Sequence, residues 1–203
     1  MITQEISTRV GYVLSDVDAI RWTEAERELW INDGIRELLG IVPSAYVKHE
    51  TVQLQPGEVQ QTPADCRKLM EVRVSQKPES FGWRCARLVS REMLSLTRPA
   101  WMNKIGDGDV REYFYDPGDP DRFYVYPPQP DEPGVVELIY QAVPAWVELD
   151  DVFPLREDYA MAVLNYVLYR AYSKDAEFAG NAQIALTYYQ GFKAALPGAA
   201  PAS

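Results

Sequence analysis

Apolar residues at Ile2, Ile6, Val10, Val13 and Val17 recur at spacings of three and four, which describes one stripe along an amphipathic helix ending near Ser15-Asp16. Thr23-Glu24-Ala25-Glu26 reads as a capping box, in which the Thr hydroxyl takes an orphan amide of the first turn and the Glu reaches back. The second helix that starts there has Trp30, Ile31, Gly34, Ile35, Leu38 and Leu39 on its inner face, and Gly40 with Pro43 stops it. Glycine at mid-helix costs roughly 1 kcal/mol relative to alanine, so Gly34 predicts the close approach of another helix. From Tyr46 the period becomes two. Tyr46–Leu54 is rich in β formers, and Pro56-Gly57 turns the chain. Leu69–Val74, Trp83–Val89, Glu112–Tyr115, Arg122–Tyr126 and Val135–Val143 are further strand candidates, with a short helical excursion from Ser90-Arg91-Glu92 that closes at Pro99-Ala100-Trp101-Met102.

After Pro144 the helical period returns. Pro154 suits the first turn of a third helix, with Tyr159, Val163, Tyr166, Val167 and Tyr169–Ala171 inward and Arg156, Glu157 and Asp158 in water. Ser173-Lys174-Asp175 breaks it. A fourth helix, from about Ala176 to Leu196, places Phe178, Ala182, Ala185, Leu186, Tyr189 and Phe192 on one side. Neither helix pair alone buries both of its faces, so the pairs from the two chain ends must meet. The expected fold is α+β: a four-helix bundle from 1–44 and 145–196, an inserted antiparallel β module at 45–144, and an extended tail at 197–203. Ten of the 15 prolines fall between Pro56 and Pro133, and neither an internal repeat nor βα alternation is present. A chain of 203 residues suits one domain, or one with a large insertion, and buries a core without disulfides.

Charge narrows the choice of function. With 30 Asp and Glu against 20 Lys and Arg the net charge is −10, which disfavours a sequence-reading DNA protein or a polybasic membrane binder. The segment 67–104 holds nine Lys/Arg and three Asp/Glu, net +6, whereas 107–158 holds three Arg and fourteen acids, net −11. One reading is an ordinary solvated surface. The other is a self-complementary subunit whose faces of opposite sign bind head to tail and generate a ring. Arg84, Arg87 and Arg91 with Asp116, Asp119 and Asp121 are the candidate subunit-interface residues.

Catalytic, cofactor-binding and metal residues are not expected. Gly106-Asp107-Gly108-Asp109 has the glycines of an anion loop but surrounds them with carboxylates. Neither it nor Asp116-Pro117-Gly118-Asp119-Pro120-Asp121 has the ligand run of a calcium loop, and both read as turns. Cys66 and Cys85 lack a CxxC partner and read as reduced packing thiols, with a single disulfide the next possibility. His49 reads as a strand-surface residue, since neither a GxSxG elbow nor a zinc-ligand set accompanies it. Tyr113, Phe114, Tyr115, Phe123, Tyr124 and Tyr126, with Trp83, Trp101 and Trp146, could stack on sugars or bases, though aromatics alternating on strands are more often core. No run of 18 apolar residues and no basic leader followed by an apolar run occurs, so a soluble, unsecreted protein without membrane contact is expected.

The assembled layout resembles the head–tail adaptor (connector) proteins of tailed bacteriophages, in particular the podovirus type that binds below the portal. The resemblance is carried by the first helix stripe followed by Arg21-Trp22-Thr23 and Trp30-Ile31-Asn32-Asp33-Gly34, and by Arg87 to Leu94 leading to Trp101. Phe123-Tyr124-Val125-Tyr126-Pro127-Pro128, Leu168 to Asp175, and Tyr189 with Phe192 complete it. It implies a non-enzymatic structural role in the virion, at the head–tail junction, after synthesis in the bacterial host cytoplasm. The implied partners are the portal protein, a tail tube or nozzle protein, and further copies of the chain in a ring of 12. Genomic DNA would pass through that ring without sequence-specific binding. The implied portal-binding segment is Ala194, Ala195, Leu196, Pro197, Gly198, Ala199, Ala200, Pro201, Ala202 and Ser203. Two other readings compete: a carbohydrate-binding or carbohydrate-cleaving virion component that uses the aromatic β module, and a helical regulatory protein that binds a host partner.

Overall fold

A computed structural model describes residues 1–75, 83–99, 101, 106, 108–175, 178 and 180–196. Among them are five α-helices and two four-stranded sheets, an α+β protein. The helices are α1 (Thr3–Leu14), α2 (Glu24–Ile41), α3 (Arg91–Thr97), α4 (Ala160–Lys174) and α5 (Asn181–Ala194). The strands are β1 (Val47–Gln53), β2 (Gly57–Gln61), β3 (Cys66–Ser75), β4 (Trp83–Cys85), β5 (Arg87–Leu88), β6 (Glu112–Tyr115), β7 (Arg122–Gln129) and β8 (Val135–Ala142). The chain divides into two compact units, Met1–Tyr46 with Pro144–Ser203, and Val47–Val143.

In the helical unit the two ends of the chain meet through the backbone. The Thr3 amide donates to the Asp151 carbonyl at 2.9 Å and the Gln4 amide to the Leu149 carbonyl at 2.6 Å. The helices form a hub rather than the expected four-helix bundle: α1, α2 and α5 each pack on α4. Helix α4 accepts three neighbours because eight of its 15 residues, from Ala160 to Ala171, are buried. On its α5 side an aromatic zipper forms, with ring centroids 5.4 Å apart for Tyr166 and Phe192, 4.9 Å for Tyr169 and Tyr189, and 5.6 Å for Tyr172 and Tyr188. Each such pair contributes about 0.5–1.5 kcal/mol beyond its buried area.

The capping box of α2 is present, the Glu26 amide donating to Thr23 Oγ1 at 3.3 Å and the Thr23 amide to Glu26 Oε2 at 3.2 Å. All six residues expected on the inner face of α2 are buried. A Cβ added at Gly34 would meet the Tyr166 ring at 3.0 Å, the close approach of another helix that its mid-helix position implied. Asn32 clamps α2 to the following segment: its Nδ2 donates to the Val147 carbonyl at 2.9 Å while its Oδ1 accepts from the Val147 amide at 2.9 Å. Asn32→Leu strands both of these buried backbone groups and is expected to cost about 2 kcal/mol; urea denaturation checks this, and a loss below 0.5 kcal/mol, roughly the smallest net worth of one hydrogen bond, would show that the clamp is idle.

Several elements differ from expectation for identifiable reasons. Only Ile6 and Val10 of the α1 stripe are buried; Thr3, Ser7 and Gly11 complete the inner face, and Ile2, Val13 and Val17 are exposed. Pro154 precedes a 3-10 turn at Glu157–Tyr159, and α4 starts only at Ala160. Helix α5 starts at Asn181, so Phe178 lies ahead of it and is exposed, as is Leu186; the buried residues of α5 are Ala185 and Phe192. The expected tail at 197–203 lies outside the described residues.

The β unit holds two sheets, with strand orders β1-β8-β3-β4 and β2-β7-β6-β5. The module is not wholly antiparallel, because β5 runs parallel to β6 with Arg87 opposite Glu112 and Leu88 opposite Tyr113. The run Trp83–Val89 is therefore two strands in different sheets. Strand β2 was not expected from its sequence. Its Gln60 is buried, exchanging hydrogen bonds with the Gln55 amide at 2.6 Å and the Gln55 carbonyl at 2.7 Å.

Candidate assembly surface

At one end of the second sheet, β5 is the edge strand and leads into α3, whose first turn is capped by Ser90 Oγ accepting from the Met93 amide at 3.1 Å. Leu94 turns inward to a small core with Trp101 and Tyr126. That orientation leaves Met93 and Leu96, three apart on α3, facing water, with Leu96 81 % exposed. Beneath them the carboxylate of Glu112 is buried and accepts from both Arg87 and Arg98. The Arg98 guanidinium also lies over the Tyr126 ring, 4.4 Å from its centroid. Between β5 and α3 lies an open pocket of about 490 Å³ whose lining includes Arg87, Leu88, Met93, Leu94, Arg98 and Glu112.

The acidic candidates follow the last residue of β6, the end toward which the parallel strand β5 also runs. Asp116–Asp121 is the β6–β7 turn, tied by the Gly118 amide donating to Asp116 Oδ1 at 2.9 Å and the Asp119 amide to the Asp116 carbonyl at 3.0 Å. Asp116, Asp119 and Asp121 are all exposed. The three aspartates thus share one turn, whereas Arg87 is on β5 and Arg91 opens α3 four residues later. Arg84 does not join them, since it lies on β4 of the other sheet; its side chain is outside the described residues. Of the segment implied to bind the portal, Ala194 ends α5, Leu196 is buried in the helical core, and Pro197–Ser203 lie outside the described residues.

Little in either unit offers reaction chemistry. Tyr113, Phe123, Tyr126 and Trp101 are buried, and Phe114 packs against Tyr124 with centroids 5.4 Å apart. Trp146 is exposed in the helical unit, where its Nε1 donates to Glu28 Oε1 at 2.8 Å; the Trp83 side chain is outside the described residues. His49 stands 55 % exposed on β1, 3.8 Å from Glu137 Oε1. Cys66 is half-buried, and burial pushes its thiol up to about 11. Cys85 is not a packing thiol: it is exposed and donates to Glu71 Oε1 at 2.8 Å. Among the described residues no group of three or more His, Cys, Asp or Glu is placed to hold a metal ion.

One polar network escaped sequence reading. The buried Tyr140 hydroxyl lies 2.6 Å from Glu50 Oε2 and 3.1 Å from Asp65 Oδ1, and Lys48 Nζ donates to Asp65 Oδ2 at 2.6 Å. Burial, then the hydrogen bonds to Glu50 and Asp65, push the Tyr140 phenol well above its ordinary value. Burial opposes charge on Asp65, yet hydrogen bonds from Lys48 and Tyr140 hold its carboxyl below the usual range. The network joins β1, β8 and the start of β3 and is structural.

The family model described as SU10 adaptor protein matches residues 1–203, the whole chain. The chain belongs to the SU10 adaptor protein family. It is therefore a phage adaptor, a structural component of a virion. No curated protein matches the chain. The adaptor's helical unit has an apolar surface of its own, at the α1–α2 connection, where Tyr12, Val13, Val17 and Ile20 are exposed. No helix of the adaptor, among the described residues, is long and apolar enough to cross a membrane. The adaptor's two candidate charge clusters both belong to its β unit.

Proposed function

We propose that this adaptor assembles as a ring of 12 subunits at the head–tail junction, in the podovirus manner. There it binds below the portal, carries the tail tube or nozzle protein, and lets the genome through without reading it. The observation that carries the reading is the match of the adaptor family to the whole chain, both units included. A net charge of −10 suits a passage for DNA, because a wall that does not attract phosphates does not hold the duplex. Of the segment 194–203, the part beyond the helical core, 197–203, is the portal-binding element, its Ala, Gly and Pro residues laying extended backbone into a groove at little steric cost. The arginines and aspartates of the β unit form the subunit interface. The chain is made in the host cytoplasm before joining the virion. A carbohydrate-binding role gains no support from the aromatics of the β unit, most of which are buried or packed on each other.

Native mass measurement of the purified adaptor, alone and mixed with the portal ring of the same phage, tests the reading. The expected result is a portal complex carrying 12 copies. Removing residues 197–203 leaves Leu196 in the core and is expected to weaken that complex without changing the melting temperature. A portal ring that takes up no adaptor would overturn the proposal.

A further inference from the structure

We propose that β1 is a self-pairing edge: in the free adaptor, β1 of one copy adds antiparallel to β1 of a second copy, with the two-fold axis at His49. A strand edge is a row of unspent main-chain donors and acceptors, and proteins protect such rows by keeping them short, bulged, charged or covered. Three of the four edge strands of the β unit are short or irregular. Strand β4 has three residues and β5 two, and β2 has five with a register shift between Gly57 and Val59. Strand β1 has seven residues in unbroken register with β8, and none is proline. The Leu54 amide donates to the Gly134 carbonyl at 3.0 Å, which fixes the alternation. Lys48, Glu50 and Val52 spend their backbone groups on β8, whereas Val47, His49 and Thr51 turn theirs to the open side. Their side chains are exposed, and among the described residues no strand pairs with that side.

The charge pattern names the occupant. A second β1 finds bonding partners only in registers that oppose the outward-turned residues, so the axis falls on Lys48, His49 or Glu50. On Lys48 it sets lysine against lysine, and on Glu50 glutamate against glutamate. On His49 it sets Lys48 of each copy opposite Glu50 of the other, in the closer, non-hydrogen-bonded positions. Lys48 and Glu50 already touch Asp65 and Tyr140 of their own chain. These contacts hold the side chains on one face of β1 and leave the choice among the three registers unchanged. A second copy carries the complementary pattern by symmetry. The contact is isologous and gives the two copies opposite polarity. Copies in a ring share one polarity, so the pair belongs to the free adaptor and opens before a ring closes. It is small, in the class of weak and transient interfaces. It goes beyond the ring reading, and either can fail alone.

Sedimentation of the purified adaptor from about 10 µM to about 1 mM, the range in which so small a contact is populated, is expected to show a reversible dimer. Thr51→Pro removes an amide that faces the open side and none that β8 uses, the place where an edge strand tolerates proline. Two amides are lost per pair, one from each copy, so the dimer is expected to weaken about tenfold or more. His49→Lys sets like charges against each other at the axis and is expected to weaken it about threefold, whereas His49→Gln leaves it unchanged. Circular dichroism melting confirms that each variant is folded, and His49→Lys carries the test if Thr51→Pro is not. A parent that stays a single subunit at about 1 mM overturns the pairing and leaves the ring reading intact. If the parent dimerises and both variants dimerise equally well, another surface holds the pair and the proposal falls. Loss in Thr51→Pro with no change in His49→Lys moves the axis off His49 and overturns the register. If the parent stays single and Thr51→Pro no longer joins the portal ring, the edge serves the portal and the proposal falls. A parent that pairs, beside a portal ring that takes up no adaptor, overturns the ring reading alone.

Discussion

Arg27→Ala is expected to lower the unfolding free energy by about 3 kcal/mol, the low end of the cost of removing one partner from a buried ion pair. Arg27 is only 2 % exposed although it sits in the first turns of α2. Its Nη2 donates to Asp16 Oδ2 at 2.9 Å and also to the Asp16 carbonyl, and its Nη1 donates to the Ser7 carbonyl at 3.4 Å. Asp16 in turn organises the α1–α2 connection, accepting from the amides of Ile20 at 2.9 Å, Arg21 at 3.3 Å and Trp22 at 3.0 Å. Those three amides keep part of the carboxylate's compensation when the guanidinium goes, which is why the low end applies. Burial opposes the Asp16 charge, but the amides of Trp22, Arg21 and Ile20 and the Arg27 guanidinium outweigh it and hold the carboxyl below its ordinary value.

The sign of the pH effect follows from that lowering. A depressed native value makes Asp16 stabilising above the ordinary carboxylate range of about 3.9, and the contribution fades as pH falls through the native value. In Arg27→Ala the fade begins at higher pH, because one of the groups holding the charge is gone. Thermal melting across acid pH measures both effects. Arg27→Lys keeps the charge but not the fork, so it recovers part of the loss. A melting curve for Arg27→Ala that overlays the parent would show that the buried pair contributes nothing. The pair also fixes the backbone beneath Val17 and Ile20, whose exposed side chains it presents in one geometry.

Arg27 also marks where the sequence stops being legible. Helix period, capping box and strand alternation are local signals, and they placed α1, α2, α4, α5 and most strands because the side chains there follow the rule of apolar inside. Arg27, Gln60 and Asn32 break that rule, burying polar groups whose partners no apolar pattern marks. Arg27 needs Asp16, eleven residues back, and Asn32 needs Val147. Periodicity does not mark the first pair, and no window of sequence spans the second. Strand β2 was missed because one buried glutamine, held by Gln55 only five residues away, takes the position an apolar residue would have advertised. The candidate surface was half legible. Summed charge separates 67–104 from 107–158, but only pairing shows that Arg84 and Arg87 belong to different sheets. Leu88, Met93 and Leu96 read as core by their letters, and topology alone turns them outward.

Two glycines of α2 are expected to respond oppositely to the same kind of change. Gly40→Ala should raise stability by about 0.5 kcal/mol, since alanine is the better helix former and nothing lies within 4 Å of the added Cβ. Gly34 offers the same gain in propensity and cannot collect it. An added Cβ would stand 3.0 Å from Tyr166 Cδ1, 3.2 Å from Cγ and 3.3 Å from Cβ. The ring has nowhere to go: it is packed edge-on against Phe192 and Tyr169 at centroid distances of 5.4 and 5.7 Å, and its hydroxyl accepts from Arg170 Nη1 at 3.4 Å. Arg170 is itself held by Asp33 Oδ2 at 2.9 Å. Displacing Tyr166 therefore disturbs α5 and the α2–α4 ion pair at once. Gly34→Val, with a branched side chain in that gap, should cost about 1–3 kcal/mol as overpacking does, whereas Gly34→Ala should lose all of the propensity gain. Urea denaturation of the three variants beside the parent decides the matter. Equal stabilisation by alanine at positions 34 and 40 would mean that α2 and α4 do not approach as closely as the Tyr166 contact requires.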